Sequence, residues 1–63
     1  MDPALAMLKF FAYDHLPPYL QTVSAIFATA AQKLIDTVPP GPERTVALRK
    51  LLEGKDCAVR AAL

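Results

Sequence analysis

Pro18–Thr37 reads PYLQTVSAIFATAAQKLIDT, and Val38-Pro39-Pro40-Gly41-Pro42 follows it. This run and its stop decide the fold. Leu20, Val23, Phe27, Ala30 and Leu34 recur at spacings of three and four, the period of a helix that buries one seam. Ile26, Ala31 and Ile35 widen that seam beyond a single stripe. Lys33 and Asp36 are the only charges in the run. A helix with one dry partner shows a charged opposite face, and this run does not. Contacts on more than one side are therefore expected, and Ala28, Ala30 and Ala31 let another helix come close.

Downstream, the proline-rich stretch is a stop and a tight turn, so the flanking helices are expected to be antiparallel neighbours. A third helix begins at Gly41 or Pro42. Glu43 in its first turn favours the positive helix end. Leu48, Leu51 or Leu52, Lys55, Val59 and Ala62 or Leu63 mark its buried stripe. Arg49 with Glu53, and Asp56 with Arg60, are spaced as i,i+4 ion pairs. Gly54 inside this helix costs about 1 kcal/mol against alanine. It marks either close backbone packing or plain tolerance.

Upstream, Tyr13-Asp14-His15-Leu16-Pro17-Pro18 breaks the chain, because residues before proline are pushed out of the helical region. Pro18 then suits the first turn of the long helix. Before the break, Asp2-Pro3 reads as an N-cap followed by proline at the first helical position. A short helix from Pro3 to Phe11 follows, with Leu5, Leu8 and Phe11 or Ala12 on one face. The fold class is thus all-α: a short N-terminal helix plus an antiparallel helical hairpin, one domain over residues 1–63.

A chain of 63 residues has a marginal core and needs a staple. Cys57 is its one cysteine, so no internal disulfide is available. His15 and Cys57 cannot supply the four ligands of a structural metal site. Oligomerisation is the staple that is left, and 54% hydrophobic residues favour it. A compact homo-oligomer larger than a dimer is expected. Net charge is +1. Through residue 42 acids (Asp2, Asp14, Asp36) slightly outnumber bases (Lys9, Lys33). Beyond it Arg44, Arg49, Lys50, Lys55 and Arg60 outnumber Glu43, Glu53 and Asp56. A DNA or RNA polymer calls for a denser basic face; a small anionic ligand does not. Pro17 to Gln32 is uncharged, but it is shorter than a membrane span and is interrupted by Gln21, Thr22, Ser24 and Thr29. With Asp2 where a basic leader region would be, and a free cysteine, a cytoplasmic protein is expected.

Catalytic signals are weak. No nucleophile has a neighbouring base in a recognised motif, and Gly41 and Gly54 are isolated, so no phosphate-binding glycine loop exists. His15 beside Asp14 reads as a solvated turn residue more readily than as a dyad. Cys57 reads as a small buried hydrophobe rather than a reactive thiol. Two places remain for ligand chemistry. Tyr13 on its proline-fixed corner either packs into the core or offers a face for stacking a nucleobase. Arg44 and Arg49 either belong to a solvated charged face or grip phosphate with their planar forks.

Tyr13-Asp14-His15-Leu16-Pro17, then Leu20-Gln21 and Ser24, then the proline-rich turn, then ERTVALRKLLEGKDCAVRA over Glu43–Ala61, resemble a phage protein family. It is the helical-hairpin domain shared by anti-CBASS and anti-Thoeris cyclic-nucleotide sponges. The chain is most similar to the anti-CBASS variety that forms a compact hexamer. The resemblance implies a cofactor-free, non-enzymatic protein in the cytoplasm of an infected bacterium. Such a protein binds cyclic dinucleotides between protomers, and cyclic trinucleotides at a separate site, and keeps them from their effectors. It implies that Tyr13 stacks on a base and that Arg44 contacts phosphate. His15, Ser24 and Arg49 complete the candidate ligand-binding set, with Arg60 as a further basic residue. Where the family carries a lysine early in its long helix, Ser24-Ala25-Ile26-Phe27 holds no base. The alternative expectation is a small helical oligomerisation or protein-interaction module with no nucleotide ligand.

Overall fold

The computed structural model describes residues 2–63. Three helices form, α1 (Pro3–Met7), α2 (Pro18–Thr37) and α3 (Pro42–Ala62), and a 3-10 turn, Leu8–Phe11, continues α1. Each α-helix opens on a proline, whose fixed φ and missing N–H suit the first turn. The Asp2 carboxylate caps α1, with Oδ1 accepting from Ala4 N–H at 2.9 Å. The Pro17 carbonyl starts α2, accepting from Leu20 N–H at 2.9 Å and Gln21 N–H at 3.0 Å.

α2 and α3 make the expected hairpin. Its register is antiparallel: Arg44 near the start of α3 reaches Ile35 near the end of α2, while Gly54 farther along α3 lies against Phe27 farther back in α2. The core gathers Ala4, Phe11, Ala31 and Leu48. Met7, Leu8, Phe27, Ala28, Leu34, Ile35, Leu51 and Leu52 pack around it. The alternatives at Gly54 resolve towards tolerance, since a Cβ there would meet Phe27 Cε1 at 3.5 Å, an ordinary contact distance.

The N-terminal segment differs from expectation. It tightens from α to 3-10 at Leu8, and its inward line is Ala4, Leu8 and Phe11; Leu5 faces outward. Near three residues per turn, Leu8 and Phe11 fall on one side and the Phe11 ring enters the core. Lys55 Nζ on α3 holds the end of this turn, donating to Phe10 O at 2.9 Å.

On α2 the expected seam divides. Leu20, Ser24 and Ala31 are buried, with Phe27 and Leu34 partly so, whereas Ile26 is exposed. On α3, Leu63 is exposed and leaves the expected stripe. Cys57 is exposed as well, not buried, because Leu48, Leu51, Leu52 and Val59 turn another side of the helix inward. Neither expected i,i+4 ion pair forms. Lys50 pairs with Glu53 at 3.7 Å, and Arg60 Nη2 approaches Cys57 Sγ at 3.5 Å. Both contacts are exposed and stabilise little. No helix among the described residues is long and apolar enough to cross a membrane.

Candidate functional site

Tyr13 sits where the sequence places it, on a non-helical corner between the 3-10 turn and α2. A turn closes the corner, with Leu16 N–H donating to Tyr13 O at 3.0 Å. Gln21, one turn into α2, reaches back: its Nε2 donates to Leu16 O at 2.8 Å and to Asp14 O at 3.3 Å. A side-chain amide thus satisfies carbonyls that the break in the helix leaves without backbone partners, and Pro17 and Pro18 limit what the chain can do there.

Tyr13 is 36% exposed. It lines an open cleft of about 390 Å³ with Leu8, Phe11, Ala12, Asp14, Ala28 and Gln32. Among the described residues its hydroxyl makes no hydrogen bond, so ring and hydroxyl are both uncommitted. Apart from Tyr13, Asp14 and Gln32, the residues lining the cleft are apolar. The Gln32 amide is directed by Asp36 Oδ1, to which its Nε2 donates at 3.0 Å. No cation lines this cleft within one protomer among the described residues. His15 is exposed at the tip of the same corner and does not line the cleft.

Ser24 is fully inside, and its Oγ has no hydrogen-bond partner. A ligand cannot touch it in this conformation.

Arg44 is also inside, only 5% exposed. Nη1 donates to Val38 O at 3.0 Å and to Ile35 O at 3.3 Å, and Nη2 forms an ion pair with the Asp2 carboxylate. The guanidinium therefore caps the C-terminal end of α2, where carbonyls lack helical partners and the dipole favours a cation. Asp2 serves two ends at once: Oδ1 caps α1 and Oδ2 meets Arg44. One buried cation thus ties the start of α1, the end of α2 and the start of α3. In this conformation Arg44 is a structural residue and turns almost nothing towards a ligand.

Arg49 is exposed and belongs to a different cleft. That cleft measures about 760 Å³, is open to solvent, and is lined by Asp2, Pro3, Pro40, Gly41, Pro42, Thr45, Val46 and Arg49. Arg49 has no ion-pair partner among the described residues. Within a protomer, then, Tyr13 and Arg49 are the two candidates placed on open clefts, and they are placed on separate ones. Sequence reading missed Gln21 as the brace of the Tyr13 corner and Asp2 as the partner of Arg44. A glutamine just after a proline pair carried the first signal; nothing local carried the second.

No cluster of three or more His, Cys, Asp or Glu side chains among the described residues can hold a metal ion. The chain matches no protein-family model, no curated protein and no solved structure.

Proposed function

We propose that this chain is a non-catalytic, self-assembling sequestering protein for cyclic oligonucleotides, with a nucleobase stacked on Tyr13. The observation that carries the reading is the accessible Tyr13 ring beside an open cleft, on a corner braced by Gln21. A preset corner loses little entropy on binding. Base stacking on an aromatic ring contributes about 1–3 kcal/mol per base.

The ligand's phosphates need a donor that the Tyr13 cleft lacks within one protomer. With Arg44 committed to Asp2, Arg49 takes over as the phosphate contact in this reading. It acts either across an interface, facing the Tyr13 cleft of a neighbouring copy, or in its own cleft as a second site. A compact homo-oligomer, a hexamer by the family resemblance, meets either need. The ligand is a cyclic dinucleotide or trinucleotide made by bacterial CBASS immunity, held in the cytoplasm of the infected host and released intact.

Co-elution tests this. The protein is mixed with cyclic di- and trinucleotides, passed over a sizing column, heated, and the released ligand is analysed by mass. Recovery of unchanged ligand from the protein peak supports sequestration. Recovery of cleaved ligand replaces it with catalysis. Absence of any ligand favours the second reading, a helical interaction module without a nucleotide, which the exposed apolar side chains Leu5, Phe10, Tyr19 and Ile26 support on their own.

A further inference from the structure

The core seam of α2 has a twin. Leu20, Ser24, Phe27 and Ala31 face inward. Tyr19, Val23, Ile26 and Ala30 each stand one residue earlier, so they form the same seam turned by about 100° around the helix. This second seam lacks an intramolecular cover at its large side chains: Tyr19 is 56% exposed and Ile26 65% exposed. Val23 and Ala30 between and beyond them are half-buried.

We propose that this seam is an antiparallel contact between α2 helices of two copies of the chain. The seam is symmetric. The steps from Tyr19 to Val23 to Ile26 to Ala30 are four, three and four residues, which read the same in both directions. A two-fold axis midway between Ser24 and Ala25 therefore sets Tyr19 of one copy against Ala30 of the other, and Val23 against Ile26. The bulky ring meets the small residue, and the two aliphatic side chains meet each other. An isologous interface requires this self-complementarity.

The charges agree with the same axis. The seam itself carries none, and Lys33 follows one turn later. The axis brings Lys33 level with Leu16 of the other copy, at the corner that carries Asp14. Lys33 and Asp14 are both exposed, and neither has an ion-pair partner among the described residues. A parallel pairing instead stacks Lys33 on Lys33 and Tyr19 on Tyr19. Tyr19, Val23, Ile26 and Ala30 line neither the Tyr13 cleft nor the Arg49 cleft, and of the residues this axis engages Asp14 alone borders the Tyr13 cleft.

This inference deepens the self-assembly part of the reading above and needs no nucleotide, so ligand binding can fail without touching it. The test is cysteine mapping in a Cys57→Ser background, with Val23→Cys and Ile26→Cys made as separate proteins. On mild oxidation, an equal mixture of the two is expected to give a disulfide-linked species joining one of each. Either protein alone is expected to give little. Light scattering adds an independent reading: Ile26→Asp should reduce the particle mass about twofold, the loss of one isologous contact, with an unchanged helical circular dichroism spectrum. Self-linking of Ile26→Cys as fast as the mixture overturns the antiparallel register. A parent protein running as a 6.9 kDa monomer overturns the interface altogether and leaves the seam to a different partner. If Ile26→Asp unfolds, the disulfide pattern alone decides.

Discussion

Replacing Arg44 by methionine keeps the aliphatic stem and deletes the guanidinium. The stem continues to fill its place beside the hairpin turn, so little packing is lost. Three interactions disappear: the ion pair with Asp2 and the hydrogen bonds to Ile35 O and Val38 O. Removing one partner of a buried ion pair costs about 3–5 kcal/mol, because the other charge is left desolvated and unpaired. Here the Arg44 side chain is 4% exposed but Asp2 is 24% exposed, so water partly rescues the carboxylate. The cost should fall at the lower end, about 3 kcal/mol. Total stability of a small domain is about 5–15 kcal/mol, so this is a large fraction. For a chain of this size each kcal/mol moves Tm by about 4–8 °C, which gives a drop of roughly 12–24 °C. Thermal denaturation followed by circular dichroism, at matched protein concentration, measures it. Asp2→Asn is the companion: it leaves an oxygen to cap α1 but removes the charge facing Arg44, and it should also destabilise. The double variant should cost less than the sum of the two singles, since they share one contact. If Arg44→Met melts within about two degrees of the parent, well below the shift expected, the buried ion pair is not what holds the three helix ends together.

Three further substitutions follow from the same packing. Gly54→Ala should stabilise by about 0.5–1 kcal/mol, because the new methyl meets Phe27 at an ordinary contact distance while the helix gains propensity; a lower midpoint in urea shows that the interhelical gap is tighter than that. Ser24→Ala should raise stability by about 1 kcal/mol, since it deletes a buried hydroxyl that has no partner; a loss of similar size shows that the hydroxyl has a bond in solution. Gln21→Ala should cost about 1–2 kcal/mol from the two bonds that hold the corner, and amide exchange at Leu16 should quicken; unchanged exchange shows that the prolines fix the corner by themselves.

The parts of the fold governed by neighbouring residues were legible. Prolines at 3, 18 and 42 announced three helix starts, and Val38 to Pro42 announced the turn between antiparallel helices. The apolar width of α2 was legible too, but periodicity could not say where its buried part ended. The boundary is set by which ridge α3 occupies, and that placed Ile26 outside and Ser24 inside. Arg44 was the least legible residue. An arginine in the first turn of a helix reads as an anion contact, and its partner Asp2 lies 42 residues away. Cys57 was misread for a related reason, because a small apolar side chain carries no signal of which side of α3 it occupies. Tyr13 was placed correctly because proline geometry is local, and the brace from Gln21 is only five residues from Leu16.

Calorimetric titration of cyclic dinucleotide and cyclic trinucleotide into Tyr13→Phe and Tyr13→Ala tests the stacking role most directly. Stacking uses the ring face and not the hydroxyl, so Tyr13→Phe should keep most of the parent's affinity. Tyr13→Ala should lose about 1–3 kcal/mol of stacking, roughly tenfold or more in affinity. Its melting temperature should fall by less than that of a core aromatic cut to alanine, which costs about 3–5 kcal/mol. Loss of the dinucleotide alone assigns Tyr13 to one of two sites. Binding of both ligands by Tyr13→Ala at parental affinity contradicts the account.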